Sequence, residues 1–267
     1  MIRVNLLILI GVLIVFWQSQ QEIKSLSLRI THLESSMLMN KDSVYRTNVI
    51  KKHINPQKGA ILSIRCEDSN KKKKEEWHGT ASKISESLIL TADHMVTNSD
   101  LANKTKKTLP IKCELFSKGK KVGSYDSKNF YYRHNEKDLV VLGVSFNEEG
   151  KKLNSLKPIF KPIETGQTLI LVSHPLGFMD DMIISFGLIL NENANLILSK
   201  NKSRMPYWKD AILTDMSAAP GSSGSPLFNI DGEYIGIHVG GERESGLNTN
   251  YQLLFDAELL VKLSLLK

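Results

Sequence analysis

From Lys58 onward the chain never keeps one apolar pattern for long. Short runs of Val, Ile, Leu, Tyr and Phe are cut every few residues by Gly, Asn, Asp, Ser or Lys. Segments of this kind read as β-strands bounded by turns. They are Ala60–Cys66, Gly79–Ile84, Ser87–Ala92, Ile111–Phe116, Asn129–Arg133, Leu139–Val144 and Thr168–Ser173. Farther along come Met182–Leu190, Asn195–Ser199, Ala211–Asp215, Ser225–Asn229, Tyr234–Val239 and Asn250–Phe255. Asn229-Ile230-Asp231-Gly232 is a hairpin turn signal between two of them. Only Asp256–Leu266, with leucines at helical spacing, reads as a helix in this part. Many short strands with few helices predict an all-β sandwich or barrel.

The first residues follow a different rule. Val4–Trp17 is apolar except for Asn5. That is short for a membrane span of about 20 residues, although Met1 and Ile2 lengthen it and Trp17 suits an interface. No small-x-small cleavage site follows, so residues 1–20 are expected to be an uncleaved signal anchor; a cleaved signal peptide is the competing reading. Arg3 favours a cytoplasmic N-terminus, with the remainder on the opposite, extracytoplasmic side. Ile23, Leu26, Ile30, Leu33 and Met37 then alternate spacings of three and four. Residues 21–39 therefore read as an amphipathic stalk helix or a short coiled coil, with homo-oligomerisation through residues 23–37 as its sharper form. Residues 40–57 read as a polar linker, and 58–267 as the main domain.

The net charge of +7 sits in runs such as Lys71–Lys74, Lys104–Lys107 and Lys118–Lys121. No aromatics interleave with Lys71–Lys74, so these runs read as solvated loops and no nucleic-acid partner is expected. Cys66 and Cys113 are the only cysteines, on separate predicted strands. They can pair only if the fold brings them together, and they are expected to be free, buried thiols. No Cys-x-x-Cys metal spacing occurs, and neither metal nor cofactor is expected.

The segment richest in chemistry is Ala219-Pro220-Gly221-Ser222-Ser223-Gly224-Ser225-Pro226-Leu227. A serine bracketed by glycines can expose its hydroxyl on a tight turn, beside backbone N–H groups able to bind an oxyanion. Ser223 is the candidate nucleophile, with the N–H groups of Gly221 and Ser223 as the oxyanion hole. A base is then needed. His94 closes the apolar run Leu88–Ala92 at a strand end, a rigid support for precise placement; His174 and His238 are the runners-up. Asp138 opens the apolar run Leu139–Val144 and is the candidate carboxylate that orients the base.

The chain order His, Asp, Ser is that of chymotrypsin-type enzymes. Thr91-Ala92-Asp93-His94 resembles the Thr-Ala-Ala-His motif of the trypsin-like family, and Asp138-Leu139-Val140-Val141-Leu142 resembles its Asp-led strand. Thr214–Leu227 is similar to the HtrA (Deg) branch, where Thr-Asp-Ala-x-x-x-Pro-Gly-Asn-Ser-Gly-Gly-Pro-Leu is usual. Val172–Phe178 is similar to that branch's Gly-Asn-Pro-Phe-Gly segment. The resemblance covers roughly residues 58 to 260 and implies two perpendicular six-stranded β-barrels with the active site between them. It also implies a serine endopeptidase acting on protein or peptide substrates; a catalytically silent binding module on the same fold is the alternative. Ser222, Ser225 and His174 depart from the branch's pattern. The chain ends soon after the matched part, so no PDZ domain is expected and PDZ-based regulation is not carried over. Ser217, Ala218 and Gly240 are the expected substrate-pocket residues. Ser217 stands where an acid would select Lys or Arg, so small or medium uncharged P1 side chains are expected.

Overall fold

The computed structural model describes residues 41–68, 76–100, 105–108, 111–127, 130–134, 137–177, 180–193, 210–242 and 249–265. The expected anchor, the stalk and the strand at Asn195–Ser199 lie outside them. Among the described residues no helix is long and apolar enough to cross a membrane. Residues 41–49, within the expected linker, form an α-helix (α1). The chain divides into two units, residues 1–52 and 53–267.

The second unit is mostly β. Its first half contains β1 (Ile61–Asp68), β2 (Glu76–Lys83), β3 (Leu88–Thr91), β4 (Thr97–Asp100), β5 (Thr105–Thr108) and β6 (Ile111–Ser117). It continues with β7 (Lys120–Asp126), β8 (Phe130–Arg133), β9 (Val140–Gly143) and β10 (Ser145–Phe146). A short helix, α2 (Glu148–Lys151), follows. The second half holds β11 (Thr168–Ser173), β12 (Ile183–Asn191), β13 (Ala211–Thr214), β14 (Pro226–Asn229), β15 (Tyr234–Glu242) and β16 (Thr249–Leu254). The C-terminal helix is α3 (Ala257–Ser264).

The second half closes as expected: a six-stranded barrel in the order β11-β12-β13-β16-β15-β14. Its apolar interior is built from Leu169, Leu171, Ile189, Ile212, Met216, Leu227 and Ile235. The first half departs from the expected six-stranded closed barrel. It is an open sheet of eight strands, β10-β7-β6-β1-β2-β3-β9-β8, a half-barrel; β4 and β5 pair with each other rather than with either edge. β3 lies between β2 and β9 and is buried along its whole length, which explains its unbroken run Leu-Ile-Leu-Thr.

The cysteine expectation is overturned. Antiparallel pairing of β1 with β6 sets Cys66 directly opposite Cys113, and the two form a disulfide. The Asn229–Gly232 turn is found as read. The Asn229 side-chain oxygen accepts the N–H groups of Asp231 (3.1 Å) and Glu233 (2.9 Å), and Gly232 has a φ of +77°. α3 starts at Asp256, whose carboxylate caps the N–H of Leu259 at 2.8 Å.

Candidate active site

Strand register brings the first two candidates together. β3 and β9 run antiparallel with Thr91 opposite Val140. His94 lies just past the end of β3, in the turn Asp93–Met95, and Asp138 lies just before the start of β9. Both therefore sit at the same end of the sheet. Asp138 Oδ2 is 2.7 Å from His94 Nδ1, and Asp138 Oδ1 accepts the backbone N–H of His94 at 2.8 Å. The Asp138 side chain is 7% exposed and that of His94 39% exposed, so a buried acid orients a ring that reaches solvent. Burial alone would push the His94 imidazole down. The charge and hydrogen bond of Asp138 outweigh it, with a further push from Asp93, and the imidazole is held above its ordinary value.

Asp93 itself is buried and accepts from Arg133 Nε on β8 at 2.7 Å. Its backbone carbonyl accepts the Thr97 hydroxyl at 2.7 Å. The turn that carries His94 is thus fastened on both sides. The sequence reading gave Asp93 no part; its contact with Arg133 joins residues 40 apart in the chain.

Ser223 sits on the turn that leads into β14 and is partly exposed. Gly221 has a φ of +95° and Gly224 of +81°. A Cβ at Gly224 would fall 2.2 Å from both Thr80 O and Thr91 Oγ1, so glycine is obligatory there. The turn's amides can be accounted for one by one. Ala219 N donates to Ser222 Oγ (3.2 Å) and Ser222 N to Ala219 O (2.9 Å). Gly224 N donates to His238 O (2.8 Å) and Ser225 N to Ser222 O (3.0 Å). The N–H groups of Gly221 and Ser223 donate to no acceptor among the described residues. Ser222, where the HtrA branch has Asn, is accommodated because its hydroxyl takes up the Ala219 amide.

The two runner-up histidines have other surroundings. His174 is 1% exposed, behind the serine turn, and its backbone N–H donates to Thr80 Oγ1 at 3.0 Å. His238 on β15 is 3% exposed and lies within electrostatic reach of His94 and Asp138. Burial lowers its pKa to about 4 against an upward push from Gln252, so it stays neutral. Its Nδ1 has no hydrogen-bond partner among the described residues.

Of the expected pocket residues, Ser217 is exposed and its N–H donates to Ser185 Oγ at 2.9 Å. Ala218 packs against the barrel core. Gly240 lies just past a bulge in β15, opposite Tyr251. Among the described residues no cluster of three or more His, Cys, Asp or Glu could hold a metal ion.

The model of the trypsin-like peptidase domain matches residues 79–237. A probable periplasmic serine endoprotease DegP-like of Pseudomonas fulva is 34% identical over 76 residues, 28% of this chain and 14% of that protein. The serine protease Do-like HtrA of Bacillus subtilis is 30% identical over 101 residues, 38% of this chain and 22% of that protein. The chain thus spans less than a quarter of the length of either relative. Among solved structures, the HtrA-type protease AlgW with a tripeptide superposes with a TM-score of 0.59 at 19% identity, over 82% of this chain and 62% of that one. The family model covers more than half of the sequence, from β2 to β15 with His94, Asp138 and Ser223 inside it, and the chain belongs to the trypsin-like peptidase family.

Proposed function

We propose that this chain is a serine endopeptidase in which Ser223 is the nucleophile, His94 the general base and Asp138 the residue that orients the base. The observation that carries this reading is the two-point hold of Asp138 on His94, through ring and backbone. Asp138 accepts the Nδ1 proton, so Nε2 keeps its lone pair and can take the Ser223 hydroxyl proton. The serine oxygen adds to the carbonyl carbon of the scissile bond. The oxygen of that carbonyl, now an anion, is received by the amides of Gly221 and Ser223, which donate to no other acceptor among the described residues. Collapse breaks the C–N bond, and His94 returns the proton to the leaving amine. Water then attacks the acyl-enzyme with the same base, releasing the carboxylate product and restoring Ser223.

The substrates in this reading are exposed segments of proteins or peptides, with Ser217, Ala218 and Gly240 lining the P1 pocket. The apolar run Val4–Trp17 supports a membrane anchor with the protease on the extracytoplasmic side, and the spacing of Ile23–Met37 supports self-association. The test is incubation of the full-length chain with reduced, alkylated casein. New peptide N-termini are expected with wild type and none with Ser223→Ala. Equal cleavage by both proteins contradicts the reading; cleavage by neither favours the silent binding module.

A further inference from the structure

We infer that Thr80, on β2 of the open sheet, is a positioning residue that sets the oxyanion turn through its hydroxyl. This rests on the assignment of Ser223 as nucleophile. Thr80 is fully buried, and each of its polar groups is used. Its N–H donates to Ser223 O at 2.8 Å, and its carbonyl accepts the Thr91 hydroxyl at 2.8 Å. Its own hydroxyl donates to Gly221 O at 3.0 Å and accepts the N–H of His174 at 3.0 Å. The Thr80 hydroxyl therefore joins the serine turn to the segment after β11, while its backbone carbonyl ties in β3, which leads to His94.

Planar trans peptides explain why these contacts reach the oxyanion site. In each peptide unit the carbonyl and the following N–H point in opposite directions. An N–H is therefore aimed by whatever holds its partner carbonyl. The Gly221 N–H belongs to the unit whose carbonyl is Pro220 O, which accepts the N–H of Leu176. Leu176 delivers that N–H from a left-handed backbone, φ +56° and ψ +20°, while its side chain is 64% exposed. A bulky residue keeps such a conformation only where its surroundings impose it. Two residues earlier, His174 is anchored by the Thr80 hydroxyl. The same hydroxyl fixes Gly221 O, on the other side of Gly221. Without it, the Leu176 donor and the Gly221 peptide both lose a support, and the amide that receives the oxyanion is no longer pre-aimed.

The test uses the full-length wild type, Thr80→Val and Thr80→Ser. Valine keeps the shape and the backbone bond to Ser223 but removes the hydroxyl; serine keeps both. The second-order rate of labelling by a fluorophosphonate is followed across pH, since phosphonylation also builds negative charge on an oxygen in the oxyanion hole. Thr80→Val is expected to lower the plateau rate about 10- to 100-fold, with Thr80→Ser within about threefold of wild type. The pH midpoint, set by His94, is expected to be the same in all three. Hydrogen exchange read by mass spectrometry on the 217–227 peptide is expected to quicken in Thr80→Val alone. If Thr80→Val does not fold, Thr80→Cys, with a weakly bonding thiol, replaces it under the same criteria. A Thr80→Val rate near wild type, a Thr80→Ser loss as large as that of valine, or a moved midpoint overturns the inference. If wild type does not label, the Ser223 assignment fails. Exchange then decides alone: faster uptake in valine but not serine supports the clamp, and equal uptake refutes it.

Discussion

Asp138 grips His94 at two atoms, taking the ring Nδ1 at 2.7 Å and the backbone N–H at 2.8 Å with its two oxygens. An amide cannot reproduce this pairing. With its oxygen on the backbone N–H, an asparagine turns its NH2 toward Nδ1, which must then accept. The proton moves to Nε2, and the ring can no longer serve as base. Asp138→Asn is therefore expected to slow fluorophosphonate labelling by about 10⁴-fold with an unchanged far-ultraviolet circular dichroism spectrum. A loss below tenfold would mean that Asp138 does not orient the base.

The pH profile carries the mark of the same contact. An imidazole can act as a base only when neutral, and that of His94 is held above its ordinary value. The acid limb of the labelling rate is expected to have its midpoint above the usual imidazole value of about 6.5. Asp93 adds to the upward push, so Asp93→Asn is expected to move the midpoint to lower pH. His238, neutral down to about pH 4, adds no second ionisation in this range. Linkage gives a matching trend in stability. Because the folded value is the higher one, the contribution of protonated His94 is complete below the unfolded value and is lost as pH rises through the folded value. Urea unfolding at several pH values, wild type against His94→Gln, reads this directly.

Lys83 is 1% exposed, and its ammonium donates to the carbonyls of Gly150 (2.8 Å), Lys151 (3.1 Å) and Leu153 (2.8 Å). It thereby caps the end of α2 from β2, with the ring of Phe146 4.9 Å away. Lys83→Met keeps most of the volume and takes the ammonium donor away from the carbonyls of Lys151 and Leu153, while Gly150 O keeps the N–H of Leu153. A loss of about 2–4 kcal/mol is expected from the urea midpoint. An unchanged midpoint would mean that water replaces the ammonium without cost.

The Cys66–Cys113 disulfide joins residues 47 apart. In the chain-entropy account, a closed loop of that length is worth about 4 kcal/mol through the unfolded state. Cys66→Ser/Cys113→Ser is expected to lower the unfolding free energy by up to about that amount. A reductant is expected to do the same to wild type and nothing to the double variant.

What the sequence disclosed depended on distance along the chain. The serine turn was legible because its demands are local: Gly221 and Gly224 supply the positive φ values around Ser223. His94 and Asp138 were legible one at a time, as polar residues at the ends of apolar strands. Their meeting follows from the Thr91–Val140 register, which no local pattern encodes. Thr80 was invisible for the same reason, since its hydroxyl partners lie 141 and 94 residues away. β7 was missed because Lys120 and Lys121 read as part of a solvated run. They point outward, while Val122 and Tyr125 of the same strand are buried. The disulfide needed the β1–β6 register before the two cysteines could be seen as opposite one another.

Intact-mass analysis of the full-length chain after fluorophosphonate treatment shows whether Ser223 is an activated nucleophile. A single adduct is expected on wild type, mapped to Ser223 by peptide sequencing, and none on Ser223→Ala. An unmodified wild-type chain, or an adduct that persists in Ser223→Ala, would contradict that role.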